Sequence, residues 1–477
     1  MIRLLLRHLA PLAALLLFLC FALPDLDLPG LHYDEALEAA TPAALLLNNQ
    51  PITGINNGVV QIGGLRLPLM VQNHIGAAQV YAAMPFVALM GPTTLALRSM
   101  TVFVGALTLA GVYVLTLRLY GRTAAAAAVL WLAAFPSFVF WSRQGAFVTN
   151  LAPCFAAWAF AFGAGLLGRQ RSPASTRRSA LLAGLFAGLA VWAKLSALWL
   201  LTGAGGWLLL VWMVQRAKAR INWMPRRQPM VYGGIGFLIG VLPIILYNLL
   251  FGFRTFAAVS GSASTTYLGT SNLDVLGNLR TRIVQFADVL SSGVHLWYLG
   301  GAFPDTLALL SVLLALAALL GGLIVRAWRI RTIGARQPDI WQRDLLMPFL
   351  MLACVLQSCF TISALWYTHF AIAVWLPAVV VGVAVRHAVP RPPAARQAVP
   401  LHQGGQLLQP GGQLHQPGGQ LLQPGGQPAY RGSWLRWGVI LALGLVVASH
   451  AWTSAHYLDA LRLTGGLSFH SSAIGDV

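Results

Sequence analysis

Apolar positions in this chain run in long unbroken stretches, unlike the half-apolar stripe of a water-soluble amphipathic helix. Such stretches predict membrane-crossing helices. A hydrocarbon core of about 30 Å takes about 20 residues of helix, and only a helix or a closed barrel satisfies its backbone polar groups there. Read this way, the pattern gives eleven spans, near 9–23, 95–117, 123–141 and 147–167, two within 179–214, then 230–250, 305–325, 345–365, 368–385 and 434–452. The 179–214 stretch would reach about 54 Å as one helix, so a hairpin fits better and puts Lys194 and Ser196 at its turn. The expected fold class is an all-α polytopic membrane protein with a transmembrane module over 1–386. Two polar stretches, 24–94 and 252–304, become outer loops. Thr41 as a cap with Pro42 in the first turn predicts that "PAALLLNNQ" starts an interfacial helix in the first loop.

The stretch 387–433 breaks the pattern. It holds "GGQLLQPGGQLHQPGGQLLQPGGQP", in effect three copies of a seven-residue unit. A period of seven suggests a coiled coil, but proline and glycine in each copy forbid a continuous helix, and a disordered cytoplasmic linker is expected. Residues 434–477 then hold the last span and an outer tail.

Composition adds sidedness. The formal charge is +19, yet only two of the 31 basic residues are lysines, Lys194 and Lys218. Arginines cluster in short inter-span loops, including Arg118, Arg122, Arg177, Arg178, Arg326 and Arg329. That is the positive-inside bias, so the basicity reports topology and not nucleic-acid binding. Arg3 and Arg7 put the N-terminus inside, with an uncleaved first span. The four cysteines all lie in apolar runs and show neither metal-ligand spacing nor a disulfide framework.

Acids are the scarce resource, twelve in all, and five of them (Asp25, Asp27, Asp34, Glu35 and Glu38) fall just after the first span. Asp34 reads either as a helix cap that brings Glu38 to its own face or as a reactive group at the outer membrane surface. Lys194, alone in an apolar run, either snorkels to the headgroups or serves a buried function. Arg98 and Arg143 also stand at outer span ends, against the positive-inside trend, as interfacial anchors or anion ligands. His369 follows "WY" as a core histidine or a ligand contact. Loop 252–304 is long enough to cover a site or to remain irregular.

The segments "HYDEALEAA", "GAAQVYAAMPFVALMGPTTLALRSMTVFVGALTLAGVYVLTLRLYGRTAAAAAVLWLAAFPSFVFWSR" and "AGLFAGLAVWAKLSALWLL", and more loosely "YTHFAIAVWLPAVVVGVAV", resemble glycosyltransferase family 39 and its relatives. These are the GT-C membrane enzymes that include protein O-mannosyltransferases and lipid A aminoarabinose transferases. The resemblance implies a GT-C-type fold and an inverting transfer of sugar from a polyprenyl-phosphate donor to a hydroxyl of a protein, lipid or glycan. The reaction would take place at the outer face of the cytoplasmic membrane. It carries the family's acidic pair onto Asp34 as base and Glu35 as the residue that orients the acceptor or neighbouring cations, and leaves Asp25, Asp27 and Glu38 without a role. The leaving phosphate needs fixed positive charge, for which Lys194, Arg143, Arg98 and His369 are candidates. Tyr33 and His74 are candidates for acceptor or sugar contact.

This chain lacks the lysine- and proline-bearing turn that many relatives carry before the second span. It has "VQNHIGAAQVY" there, where Asn73 or His74 would replace that contact. Asn48 and Asn49 beside the acids leave a divalent cation open, though no ligand spacing announces one. A polytopic transporter or lipid flippase is the alternative reading, and would place ionisable groups at mid-membrane and show repeated half-structures.

Overall fold

The computed structural model describes residues 2–52, 58–167, 172–217, 227–262, 266–267, 270–333, 341–361, 364–389, 431–467 and 470–471. The protein is an all-α polytopic membrane protein. The seven-residue repeat, together with Lys218 and Arg220, lies outside the described residues. Among those described, five helices are long and apolar enough to cross a membrane, or seven if two bent pairs each count as one span. The difference from eleven has local causes. The stretch 123–141 is broken by a 62° bend between Arg122–Ala134 and Pro136–Arg143, where Pro136 has no N–H to continue the ladder. The stretch 345–365 is helical only to Gln357, and 368–385 enters through a 3₁₀ segment, Tyr367–Ala373, bent by 44° from the helix that follows. Three more apolar helices, Leu9–Ala22, Ala78–Met90 and Leu151–Leu167, are shorter. Ala78–Met90 lies inside the stretch expected to be an outer loop.

Glycine sets the closest helix pairing. Gly184 and Gly188 of the Pro173–Ala193 helix face Gly233, Gly236 and Gly240 of Arg227–Leu250. A Cβ on Gly184 would come 1.9 Å from the Gly233 carbonyl oxygen, and one on Gly236 would come 2.1 Å from that of Leu181. In lipid no solvent drives helices together, and small residues supply the contact by letting backbones touch.

The polar ends sort onto two sides. At one, Asp344 pairs with Arg326 at 3.2 Å and His387 at 2.9 Å, Tyr120 donates to the Arg343 carbonyl, and Trp207 Nε1 donates to Gln342 O at 2.9 Å. Opposite ends of the same helices carry Arg98, Lys194 and His369. Arg326, expected on the cytoplasmic side, thus stands at the end away from Arg98, Lys194 and His369.

The second polar stretch forms a helix, Val275–Ser291, which turns three polar side chains inward beside the apolar Phe286, Val289 and Leu290. Asn278, Arg282 and Gln285 are buried, while Leu276, Ile283 and Val284 are exposed. Asn278 Nδ2 donates to Cys359 O, Arg282 Nε to Ser358 O, Arg282 Nη1 to Trp366 O, and Gln285 Nε2 to Leu365 O. These carbonyls belong to the break between two apolar segments, where helix bonds are missing and lipid offers no replacement. The inward polar side chains fill that need.

Candidate functional site

The acids sit on one continuous helical run: Tyr33–Glu35 as α, Ala36–Ala40 as a π turn, Thr41–Leu47 as α again. It begins nine residues before the start that Thr41 and Pro42 suggested. His32 caps it. Its Nδ1 accepts the Asp34 N–H at 3.1 Å, and its own N–H donates to Glu35 Oε2 at 2.9 Å. This is a capping box built on histidine. A lone pair of Nδ1 is taken by that amide, so His32 holds no proton there for the Asp34 carboxylate 3.6 Å away. The π turn begins at Ala36, two residues past Asp34, and such turns recur at functional sites.

Asp34 and Glu35 diverge. Glu35 is fully buried and accepts from Arg98 Nη2 at 3.1 Å, while Arg98 also donates to the carbonyls of Leu26 and Gly30. Arg143 caps the C-terminal end of the first helix, donating to the carbonyls of Phe21, Pro24, Asp25 and Leu28. Both arginines therefore organise residues 21–35, and their donors point into that loop. Asp34 stays part-exposed, with 21% of its side chain accessible, next to the exposed ring of Tyr33. His32 links Tyr33 to Phe147 through ring contacts of 4.8 and 4.3 Å.

Lys194 arrives from the other direction. The Pro173–Ala193 helix ends on it in extended conformation, and the next helix starts just beyond. Its strand-like backbone bridges to Ile75, while Leu195 N–H donates to His74 O at 3.1 Å. Ile75 in turn pairs with Gln72 across a short hairpin, Met70–Gln72 with Ile75–Gly76. Glycine is required at 76, because a Cβ there would come 2.0 Å from the Trp192 carbonyl oxygen. Asn73 accepts from Tyr247 Oη at 2.8 Å, which anchors the hairpin tip.

This stitching brings Lys194 to face Asp34 and Glu38, the carboxylates whose charges it feels. Burial raises the Asp34 carboxyl above its ordinary range, opposed by Tyr33 and Lys194. Glu38 is raised by burial and then by Asp34, with Lys194 opposing; it also accepts a hydrogen bond from Gln72 Nε2. His74 is pushed down to about 4 by burial and by Lys194, so it is neutral at physiological pH. His369 lies within the field of Lys194 and His74, and its Nδ1 is 2.8 Å from Arg282 Nη2. Among the described residues no carboxylate stands within 4.0 Å of the Lys194 ammonium.

Of the residues singled out from sequence, the structure gathers Asp34, Tyr33, Lys194, His74 and His369, and draws Glu35, Arg98 and Arg143 into the supporting loop. Glu38, Gln72 and Arg282 had no sequence assignment. The i, i+4 spacing from Asp34 to Glu38 was the available signal for one of them. No group of three or more His, Cys, Asp or Glu among the described residues is arranged to hold a metal ion.

No protein-family model matches the chain, and no curated protein does. Solved structures do. Over 79% of its length the chain superposes on the crystal structure of ArnT from Cupriavidus metallidurans bound to undecaprenyl phosphate, at 14% identity and a TM-score of 0.50. The chain has a GT-C fold. It is also similar to the apo Archaeoglobus fulgidus oligosaccharyltransferase, at 14% identity and a TM-score of 0.46, over 80% of this chain and 50% of that one. The chain spans 59% of the length of that ArnT.

Proposed function

We propose that this protein is an inverting membrane glycosyltransferase that moves a sugar from a polyprenyl-phosphate donor to an acceptor hydroxyl. The reaction takes place at the outer face of the cytoplasmic membrane. The observation that carries the reading is one part-exposed carboxylate, Asp34, near a buried lysine that no carboxylate among the described residues closes upon. A lipid phosphate keeps its chain in the bilayer, so its sugar is presented at a helix-end site of this kind. The undecaprenyl phosphate held by the ArnT structure, on a shared fold, supports that donor class.

In this reading the acceptor oxygen attacks the anomeric carbon as its proton passes to Asp34. The bond from that carbon to the phosphate oxygen breaks, and the configuration inverts. The phosphate leaves as an anion and needs no proton, so one carboxylate suffices where a glycosidase uses two. Lys194 meets the charge that grows on the phosphate, and its burial strengthens that interaction. His369 and His74 line the phosphate side. Tyr33 offers its exposed ring to sugar or acceptor. Glu35 acts through position, with Arg98 and Arg143 holding the loop that carries the acids.

The test is transfer of radiolabelled sugar from synthetic polyprenyl-phosphate sugars by purified protein. Asp34→Asn is expected to lower kcat by about 10²–10⁴-fold. Turnover near the wild-type rate in that variant would remove Asp34 as base, and no transfer by wild type from any such donor would remove the reading.

A further inference from the structure

Glu38 has no part in the chemistry above, yet it is the more enclosed of the two carboxylates that face Lys194. It stands one helical turn beyond Asp34 and is gripped through Gln72. Gln72, Ile75 and Lys194 form a row of paired backbones, with Ile75 in the middle. Side chains paired across such a row share a face, so Gln72 holds Glu38 on the side from which Lys194 projects. Opposite charges buried at one site gain most by closing into contact, because each carries its own desolvation cost. Among the described residues these two stand more than 4.0 Å apart, and Lys194 feels the charge of Asp34 as well.

We propose that Glu38 is the resident counter-charge of Lys194, and that a lipid-borne phosphate takes over that place as Glu38 takes up a proton. The inference deepens the donor assignment above and rests on it. A phosphodiester beside Lys194 would meet a second negative charge in ionised Glu38, an arrangement that favours protonation of the carboxylate. Burial, and then the charge of Asp34, favour the neutral form, and Lys194 opposes them as long as its charge is not taken up by a phosphate. The groups around Glu38 are Asp34 on its own helix, Glu35 turned away to Arg98, Gln72 and His74 on the hairpin, Lys194 at the helix junction and His369 beyond it. The sign follows. As pH rises, Glu38 ionises and donor affinity falls; as pH falls, affinity rises.

The test measures binding of the methyl ester of undecaprenyl phosphate, a diester of constant single charge, to the full-length protein in detergent between pH 6 and pH 9. Wild type is expected to lose affinity by roughly tenfold or more across that interval. Glu38→Gln should bind as wild type does at pH 6, which reports folding, and hold that affinity at higher pH. Lys194 also titrates, so the pair is repeated in Lys194→Arg, whose guanidinium stays charged. There the fall should persist, and Glu38→Gln should abolish it. Gln72→Leu, which leaves the helix untouched, removes a bond to the ionised carboxylate and should move the fall to higher pH. A flat wild-type profile overturns the gate alone. So does a fall abolished by Asp34→Asn and kept in Glu38→Gln. Absence of binding by every form at every pH overturns the donor assignment and the gate with it.

Discussion

At the scale of single residues, the site separates three carboxylates that are nearly adjacent in sequence. Glu35 is buried against Arg98 with neither side chain exposed, and removing one partner leaves an uncompensated buried charge. Arg98→Met is therefore expected to destabilise the protein by about 3–5 kcal/mol, and Arg98→Met with Glu35→Met by much less, read as melting temperatures in detergent. Asp34 sits in a raised state with a different consequence. A base works deprotonated, so transfer should fall with acidity through a pKa above the usual aspartate value, and the acid limb of kcat against pH reports it. Arg143 feeds four carbonyls from one planar fork, a geometry that an ammonium lacks. Arg143→Lys should lower stability by about 1–3 kcal/mol with kcat at low temperature nearly kept, checked by thermal unfolding beside activity.

At the scale of elements, the glycine-faced helix pair leaves no room for side chains. Gly236→Leu should separate the Pro173–Ala193 and Arg227–Leu250 helices and lower stability by at least about 1–3 kcal/mol, measured as loss of folded protein on heating in detergent. Since the first of these helices ends on Lys194, the same variant should also weaken donor binding. This scale shows why sequence reading went only part of the way. Apolar runs report length, and length located the helices near 95–117 and 230–250 well. It does not report breaks, because the bend at Pro136 and the end of helix at Gln357 lie inside apolar text. Thr41 and Pro42 looked like a start because proline suits a first turn, but here Pro42 stands where a π turn passes into α. Asp34 and Lys194 stood out by scarcity, whereas the Gln72–Ile75–Lys194 row is a long-range pairing that no local pattern encodes. The helix Val275–Ser291 shows periodicity without showing which face turns inward.

At the scale of the whole molecule, the two polar sides give the fold a testable orientation. Tyr33 and Arg329 are exposed on opposite sides. A cysteine replacing Tyr33 should react with a membrane-impermeant maleimide on intact cells, and one replacing Arg329 only after permeabilisation. The opposite pattern would invert the topology and place the acids in the cytoplasm, where the proposed reaction would need a different acceptor pool.

The backbone bridge between Ile75 and Lys194 also bears on how the molecule is made. The acids lie about 160 residues ahead of the lysine that faces them. A chain emerging from the ribosome therefore presents Asp34 and Glu38 long before Lys194 follows. Until the Pro173–Ala193 helix inserts and meets the hairpin, the acid-bearing loop lacks both a counter-ion and the strand partner of Ile75. Completion of that helix is then the step that brings Lys194 to the acids.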